Sequence, residues 1–233
     1  MPYYTDEMIY AFICTRSKEL TETAKSLSNY LSPMGVSVKF LVNQPTMFEG
    51  YRRAFEKNEV KDDDIVILCH DDIEILSSPW VFKQCLLETL KQETGFIGVA
   101  GTKTLSPDAI WWNQDMWRAG QHSGLVWHGK DPISAETTYY GPYSQVVILD
   151  GLFLAASGKT LREVGLEQPE YLTGGWDYYD LHYTITAHKK GLKNKTVPIN
   201  ILHNSKGELV GRNSWHMNRQ MFINRHKLPI TVS

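Results

Sequence analysis

Up to residue 100 the chain alternates two kinds of apolar pattern, and this alternation restricts the fold more than any other feature. Ile9 to Cys14 (IYAFIC) is a largely apolar run of strand length. Leu20, Ala24, Leu27 and Leu31 then recur at helical spacing, and Gly35 stands where a helix stop belongs. Val36 to Val42 (VSVKFLV) is the second strand. Thr46-Met47-Phe48-Glu49 fits a capping box, and the helix after it puts Phe48, Tyr51 and Phe55 on one face. Ile65 to Cys69 is the third strand. Ser78-Pro79 pairs an N-cap with a proline at the first helical position, and Phe82, Cys85, Leu86 and Leu90 stripe the helix that follows. Phe96 to Ala100 is the fourth strand. Strands joined by helices in this order imply an α/β domain with a mostly parallel central sheet and helices on both faces.

The second half is less regular. Residues 101–144 hold Trp111, Trp112, Trp117 and Trp127 among Gly, Pro and Tyr, and read as a long functional loop or a cover for the sheet. Gln145 to Leu149 (QVVIL) is a strand that ends in Asp150-Gly151, and Leu161 to Val164 is a helical turn. Asp177 to Lys190 is a helix stopped by Gly191. Thr196 to Leu202 (TVPINIL) is a strand placed at an edge by Pro198 and ending at His203, and a last helix starts near Ser214. With no repeat or linker, residues 1–233 form one expected domain.

Composition excludes several classes. The formal net charge is -2 and no basic block stands out, which disfavours a nucleic-acid groove. No run approaches the roughly 18 apolar residues of a membrane span, and no leader segment is visible. Cys14, Cys69 and Cys85 lie within apolar patterns, as reduced core thiols of a cytoplasmic protein would.

In open α/β sheets ligands gather at the carboxyl ends of the strands. The first strand ends in Thr15 and Arg16, the second in Asn43, the third in His70-Asp71-Asp72. An arginine, an amide and a carboxylate pair around one crevice suit a phosphate-bearing ligand held through a metal. No glycine-rich loop follows the first strand, so phosphates would need a cation or basic side chains to offset their charge.

In order along the chain stand HDDI after a buried strand, VAGTKTL with WW downstream, ILDGLFLAA, WDYYDLHYTITAHKKGL and ILHNS. Together they resemble the small family-2-type glycosyltransferases of the streptomycin-biosynthesis (StrF-like) subgroup, over roughly residues 7–205. The resemblance implies a single nucleotide-sugar-binding domain of the GT-A type. Its nucleotide-binding half would cover about residues 1–100 and its acceptor and catalytic half about 101–233. It implies transfer of a sugar, with inversion, from a nucleotide-diphosphate donor to a carbohydrate or other hydroxyl acceptor.

The same resemblance assigns roles. The acidic metal-binding signature falls on His70-Asp71-Asp72, with Asp72 as direct ligand and Asp71 toward either the nucleotide ribose or a water around the metal; Thr15, Arg16 and Asn43 complete the donor side. His203 is the late histidine that returns to the metal, and an imidazole ligand favours Mn²⁺ over Mg²⁺. Asp180 falls where the catalytic base stands, with Asp177 in reserve as an acidic residue of the helix's first turn. Asp150, Gly151 and Trp176 fall on the sugar and acceptor side, with Gly174-Gly175 as a hinge beside Trp176. Trp111, Trp112 and Trp117 either stack on a sugar or bury a small core. The sequence departs from the family pattern at His70, at Tyr179 in place of a glutamate, and at His182 in place of an aspartate. Two other classes remain open: a non-catalytic nucleotide-sugar or carbohydrate-binding module, and a sugar nucleotidyltransferase.

Overall fold

The structure, a computed structural model, describes residues 7–174, 176–205 and 213–232. Each early apolar run becomes an element, bounded by the residues that terminate it in the sequence. β1 (Ile9–Thr15) precedes α1 (Glu22–Leu31), where Thr21 Oγ1 accepts from the Ala24 N–H at 3.1 Å. Gly35, at φ +81°, turns the chain into β2 (Val36–Val42) through a left-handed conformation that glycine adopts without a Cβ clash. Thr46 caps α2 (Met47–Lys57) by accepting from the Glu49 N–H at 2.9 Å. The Glu49 carboxylate pairs with Arg52 and Arg53. β3 (Ile65–His70) leads to the short β4 (Ile73–Ile75), and Ser78 with Pro79 opens α3 (Pro79–Leu86).

Beyond α3 the chain builds more sheet than its pattern suggests. β5 (Thr94–Gly98), β6 (Ala100–Thr102) and β7 (Thr104–Leu105) follow in quick succession. Then come α4 (Gln114–Arg118), β8 (His122–His128), β9 (Glu136–Gly141), β10 (Gln145–Val146), β11 (Ile148–Leu149) and β12 (Phe153–Ser157). The remainder is α5 (Gly158–Val164), α6 (Tyr179–Lys189), β13 (Lys193–Thr196), β14 (Ile201–His203), α7 (Asn213–Arg225) and β15 (Ile230–Thr231).

The central sheet has the order β10-β13-β5-β12-β3-β1-β2. β2, β1, β3, β5 and β13 run one way and β12 and β10 the other, so the sheet is mostly parallel, with helices on both sides. β12 wedges antiparallel between β3 and β5, and all of its residues are buried. The fourth strand therefore does not adjoin the third. The second sheet runs β11-β6-β8-β14-β4, with β9 on the outside of β8.

Three sequence readings change accordingly. Residues 101–144 are not one loop: they carry most of β6 and all of β8 and β9 into the second sheet, with β7, α4 and irregular segments between them. The runs Phe96–Ala100, Gln145–Leu149 and Thr196–Leu202 each divide, one part entering each sheet. Val99 and Val147 are the buried crossing points of the first two, and in the third Pro198 lies between β13 and β14. The helix expected from Asp177 begins at Tyr179, after Tyr178 takes a left-handed φ of 66°. Among the described residues no helix is long and apolar enough to cross a membrane. Cys14, Cys69 and Cys85 are free thiols, the first two buried.

One buried amide holds these layers in register. β13 slips against β5 between Lys193 and Lys195, and fully buried Asn194 fills the gap. Its Oδ1 accepts from the Phe96 N–H at 3.0 Å, and its Nδ2 donates to Val147 O at 2.9 Å and Thr184 O at 2.7 Å. One side chain thus joins β5, the β10–β11 crossing and α6. Asn194→Leu keeps the volume and withdraws all three bonds, at roughly 1 kcal/mol or more each in a dry interior. Urea denaturation is expected to show a loss of about 3 kcal/mol or more, with an unchanged m-value.

Candidate active site

A cleft of about 720 Å³ opens between the carboxyl ends of β1 and β3 and the second sheet. Arg16, Asp71, Asp72, Asp150, Trp176, Asp177 and His203 all line it. The structure therefore brings together residues spread over nearly two hundred positions. Four sequence candidates do not line it. Thr15 is buried beneath, its Oγ1 accepting from the Ser17 N–H at 3.1 Å. Asn43 is exposed, its N–H donating to Thr15 O at 3.0 Å. Gly151 and Asp180 lie outside the lining and are joined to each other. Of the suggested hinge, Gly174 has φ +66° and Gly175 lies outside the described residues.

The opposite wall is aromatic. Trp111, Trp112, Trp117 and Tyr140 line it, with Trp111 buried and its ring centroid 5.2 Å from that of Tyr140. Trp112 and Trp117 stay 37% and 42% exposed, so part of each ring is open to a ligand. The Arg16 guanidinium lies 4.4 Å from the Trp176 ring centroid, within cation–π range.

His70, Asp72 and His203 converge, one donor atom from each lying within 4.8 Å of the others. Asp72 Oδ1 is 3.8 Å from His70 Nδ1, and its Oδ2 is 3.5 Å from His203 Nε2. β14 pairs antiparallel with β4, His203 opposite Ile73, which returns the late histidine to the end of β3. Sequence reasoning missed His70 as a member of this set. The signal was there: His70 closes β3 only two residues before Asp72, so both stand at one strand end within reach of a single ion, and Asp71 between them lines the same cleft. Burial disfavours the His70 imidazolium and holds its pKa below the ordinary value, against the pull of Asp72. Burial acts the same way on His203, but the hydrogen bond and charge of Asp72 outweigh it, and its pKa is raised. Burial opposes ionisation of Asp72 as well, yet His203 and His70 bring its pKa below the ordinary carboxyl value. Asp72 Oδ1 is buried without a hydrogen-bond partner. An unpaired carboxylate oxygen between two imidazoles fits a divalent cation.

A second network lies behind the cleft wall. Asp150 Oδ1 accepts from the Leu152 N–H at 2.8 Å and shapes the turn between β11 and β12. The next residue, Gly151, uses both of its backbone groups. Its N–H donates to Asp180 Oδ2 at 3.0 Å, and its C=O accepts from the Tyr179 hydroxyl at 2.7 Å. Tyr179 Oη lies 3.0 Å from His70 Nε2. A Cβ on Gly151 would stand 2.3 Å from Tyr179 Oη and 2.9 Å from Asp180 Cβ, which leaves room only for glycine. Asp180, not Asp177, is the acid in the first turn of α6. Asp177 precedes the helix, buried, and its Oδ2 accepts from the Ser214 hydroxyl at 2.9 Å.

Burial, with the nearby charge of Asp150, pushes the Asp180 carboxyl up to about 7. The folded protein thus resists an ionisation that the unfolded chain, near 3.8, undergoes freely. That contribution to stability is complete below the unfolded value and is lost as pH rises toward 7. Asp180→Asn removes the loss. In urea denaturation of the metal-free protein the variant is expected to match wild type near pH 4 and to exceed it at pH 8 by up to roughly 4 kcal/mol. Gly151→Ala is expected to destabilise at both pH values, because its methyl group collides with both partners.

Comparison with known proteins places this geometry in context. No curated protein sequence matches the chain. The solved structure of A197 from STIV superposes with a TM-score of 0.52 at 12% identity, over 85% of this chain and 86% of that one. GalNAc-T7, solved with UDP, GalNAc and Mn²⁺, superposes with a TM-score of 0.58 at 11% identity, over 94% of this chain and 48% of that one. This chain thus spans about half the length of GalNAc-T7. At such identities the likeness shows the fold, which is of the GT-A type. A profile described as a glycosyltransferase-like family matches residues 11–224, nearly the whole chain, and the protein belongs to that family.

Proposed function

We propose that the protein transfers a sugar, with inversion, from a nucleotide-diphosphate donor to a hydroxyl acceptor, and that it requires a divalent cation. The convergence of His70, Asp72 and His203 around an unpaired Asp72 oxygen carries this reading. These three residues would hold the cation, and their two imidazoles favour Mn²⁺ over Mg²⁺. When bound there, the cation offsets the negative charge of the departing nucleoside diphosphate. The GalNAc-T7 structure, with UDP and Mn²⁺ bound, makes that pair the first ligands to try. The ordered motifs support a StrF-like member of the family. Free buried thiols support a reducing, cytoplasmic setting.

The donor binds on the β1–β3 side, about residues 1–100. There Arg16 and Asp71 meet it directly, Thr15 supports the Ser17 turn from beneath, and Asn43 holds the neighbouring strand end. The acceptor enters from the 101–233 side, against Asp150, Trp176 and the exposed faces of Trp112 and Trp117. Asp180 takes the acceptor's hydroxyl proton while that oxygen bonds to the anomeric carbon. The bond from that carbon to the phosphate oxygen breaks, and the nucleoside diphosphate leaves with its electron pair. One displacement at one carbon inverts its configuration. A carboxyl near 7 suits a base that must be ionised yet still basic at neutral pH. Asp177, in the cleft lining, is the alternative base.

One observation favours a second reading: Asp180 lies outside the cleft lining, as it would in a binding module without turnover. Catalysis decides between the two. With saturating donor, Asp180→Asn is expected to lower the transfer rate by roughly 10²-fold or more. The wild-type rate should rise with pH through a midpoint near 7 that the variant lacks. No transfer by wild type with any nucleotide sugar and Mn²⁺ would favour the binding module. A loss in Asp177→Asn alone would move the base to Asp177. In calorimetry, Asp72→Asn should abolish Mn²⁺-dependent binding of nucleoside diphosphate, and wild-type affinity in that variant would remove Asp72 from the site. His203→Ala should weaken Mn²⁺ binding more than Mg²⁺ binding, and an equal loss would count against direct ligation.

A further inference from the structure

We propose that Tyr179 is a positioning residue that sets the tautomer of His70, so that Nδ1 faces the cation site as a bare lone pair. This rests on the cation reading above, but its geometry is independent. Tyr179 is buried and its hydroxyl carries one proton. The carbonyl oxygen of Gly151, 2.7 Å away, can only accept, and takes that proton. Toward His70 Nε2, at 3.0 Å, the tyrosine oxygen is then left as an acceptor, so Nε2 must carry the hydrogen. A neutral imidazole has one N–H, and Nδ1 is therefore free. Nδ1 is the nitrogen that faces Asp72, at 3.8 Å from Oδ1, too far for a hydrogen bond. The opposite tautomer would set two lone pairs against each other at Nε2 or strip the buried Gly151 carbonyl of its donor.

A single chain of donors thus runs from His70 through Tyr179 to Gly151, and the N–H of Gly151 holds Asp180. It joins two of the three positions at which the sequence departs from the family pattern. A histidine at the end of β3 needs an outer partner to select its ligating nitrogen, and a tyrosine at the start of α6 supplies one. A glutamate there would be an acceptor only and could not also donate to the Gly151 carbonyl.

Two measurements test this. In ¹⁵N NMR of the metal-free wild type at pH 8, His70 should show a protonated Nε2 and an unprotonated Nδ1. Tyr179→Phe should populate both tautomers. By calorimetry, Tyr179→Phe should weaken Mn²⁺ binding by about 10–100-fold. The same substitution in a His70→Ala background should cause no further loss. A proton on Nδ1 in the wild type, wild-type Mn²⁺ affinity in Tyr179→Phe, or an equal loss in the His70→Ala background would overturn the proposal. Should Tyr179→Phe fail to fold, the wild-type spectrum decides. A wild type that binds no Mn²⁺ overturns the cation reading instead, and the spectrum alone then decides for or against Tyr179.

Discussion

The peptide of Gly151 is the point through which Asp180 and the cluster of His70, Asp72 and His203 are joined. Its N–H is bound by Asp180 and its C=O by Tyr179, which in turn reaches His70. Both bonds require the β11–β12 turn to approach the first turn of α6 more closely than any side chain at that position allows. Asp150 bends the chain into that turn, and Asn194 holds α6 against the sheet. A constraint of this kind is rigid, and rigidity is what a site needs if its donors are not to reorganise during reaction.

Electrostatics runs through the same few atoms. Asp71, Asp72 and Asp150 line one cleft with Asp180 close behind, and only His203 among the neighbours of Asp72 is pushed toward its charged form. His70, held neutral by burial, does not offset the excess. Such a set is costly to the isolated fold and suits a site completed by a cation and a ligand. Asp180 shows the consequence: burial and the charge of Asp150 disfavour its ionised form and push its carboxyl up to about 7.

The aromatic wall gives the cleft its second character. Trp112 and Trp117 keep exposed ring faces while Trp111 and Tyr140 are packed behind them. Of the two expectations for these rings, burial in a small core holds for Trp111, while its neighbours are open to the cleft. A polar, acidic floor facing an aromatic wall suits a ligand with one charged end and one flat, weakly polar face.

The parallel half of the fold was legible because β1, α1, β2, α2, β3 and α3 each carry their own apolar pattern, and the helices their own caps. Local rules suffice for Thr21, Gly35, Thr46 and Ser78, whose partners lie within a few residues. The second sheet was not legible. β6, β11 and β14 are two or three residues long, too short for a period, and they exist because neighbouring strands present unpaired backbone groups. β12 reads as a plain apolar run, and nothing local tells it to lie antiparallel between β3 and β5. The site divides in the same way. The sequence by itself determined that acidic and imidazole groups stand at strand ends, because composition and the two-residue alternation of an extended chain are local properties. Only the tertiary structure decided that His203 joins His70 and Asp72, that Tyr179 stands behind His70, and that Asp180 rests on Gly151. Those contacts span 29 to 133 positions of sequence and arise from how β14, α6 and the β11–β12 turn pack on β3.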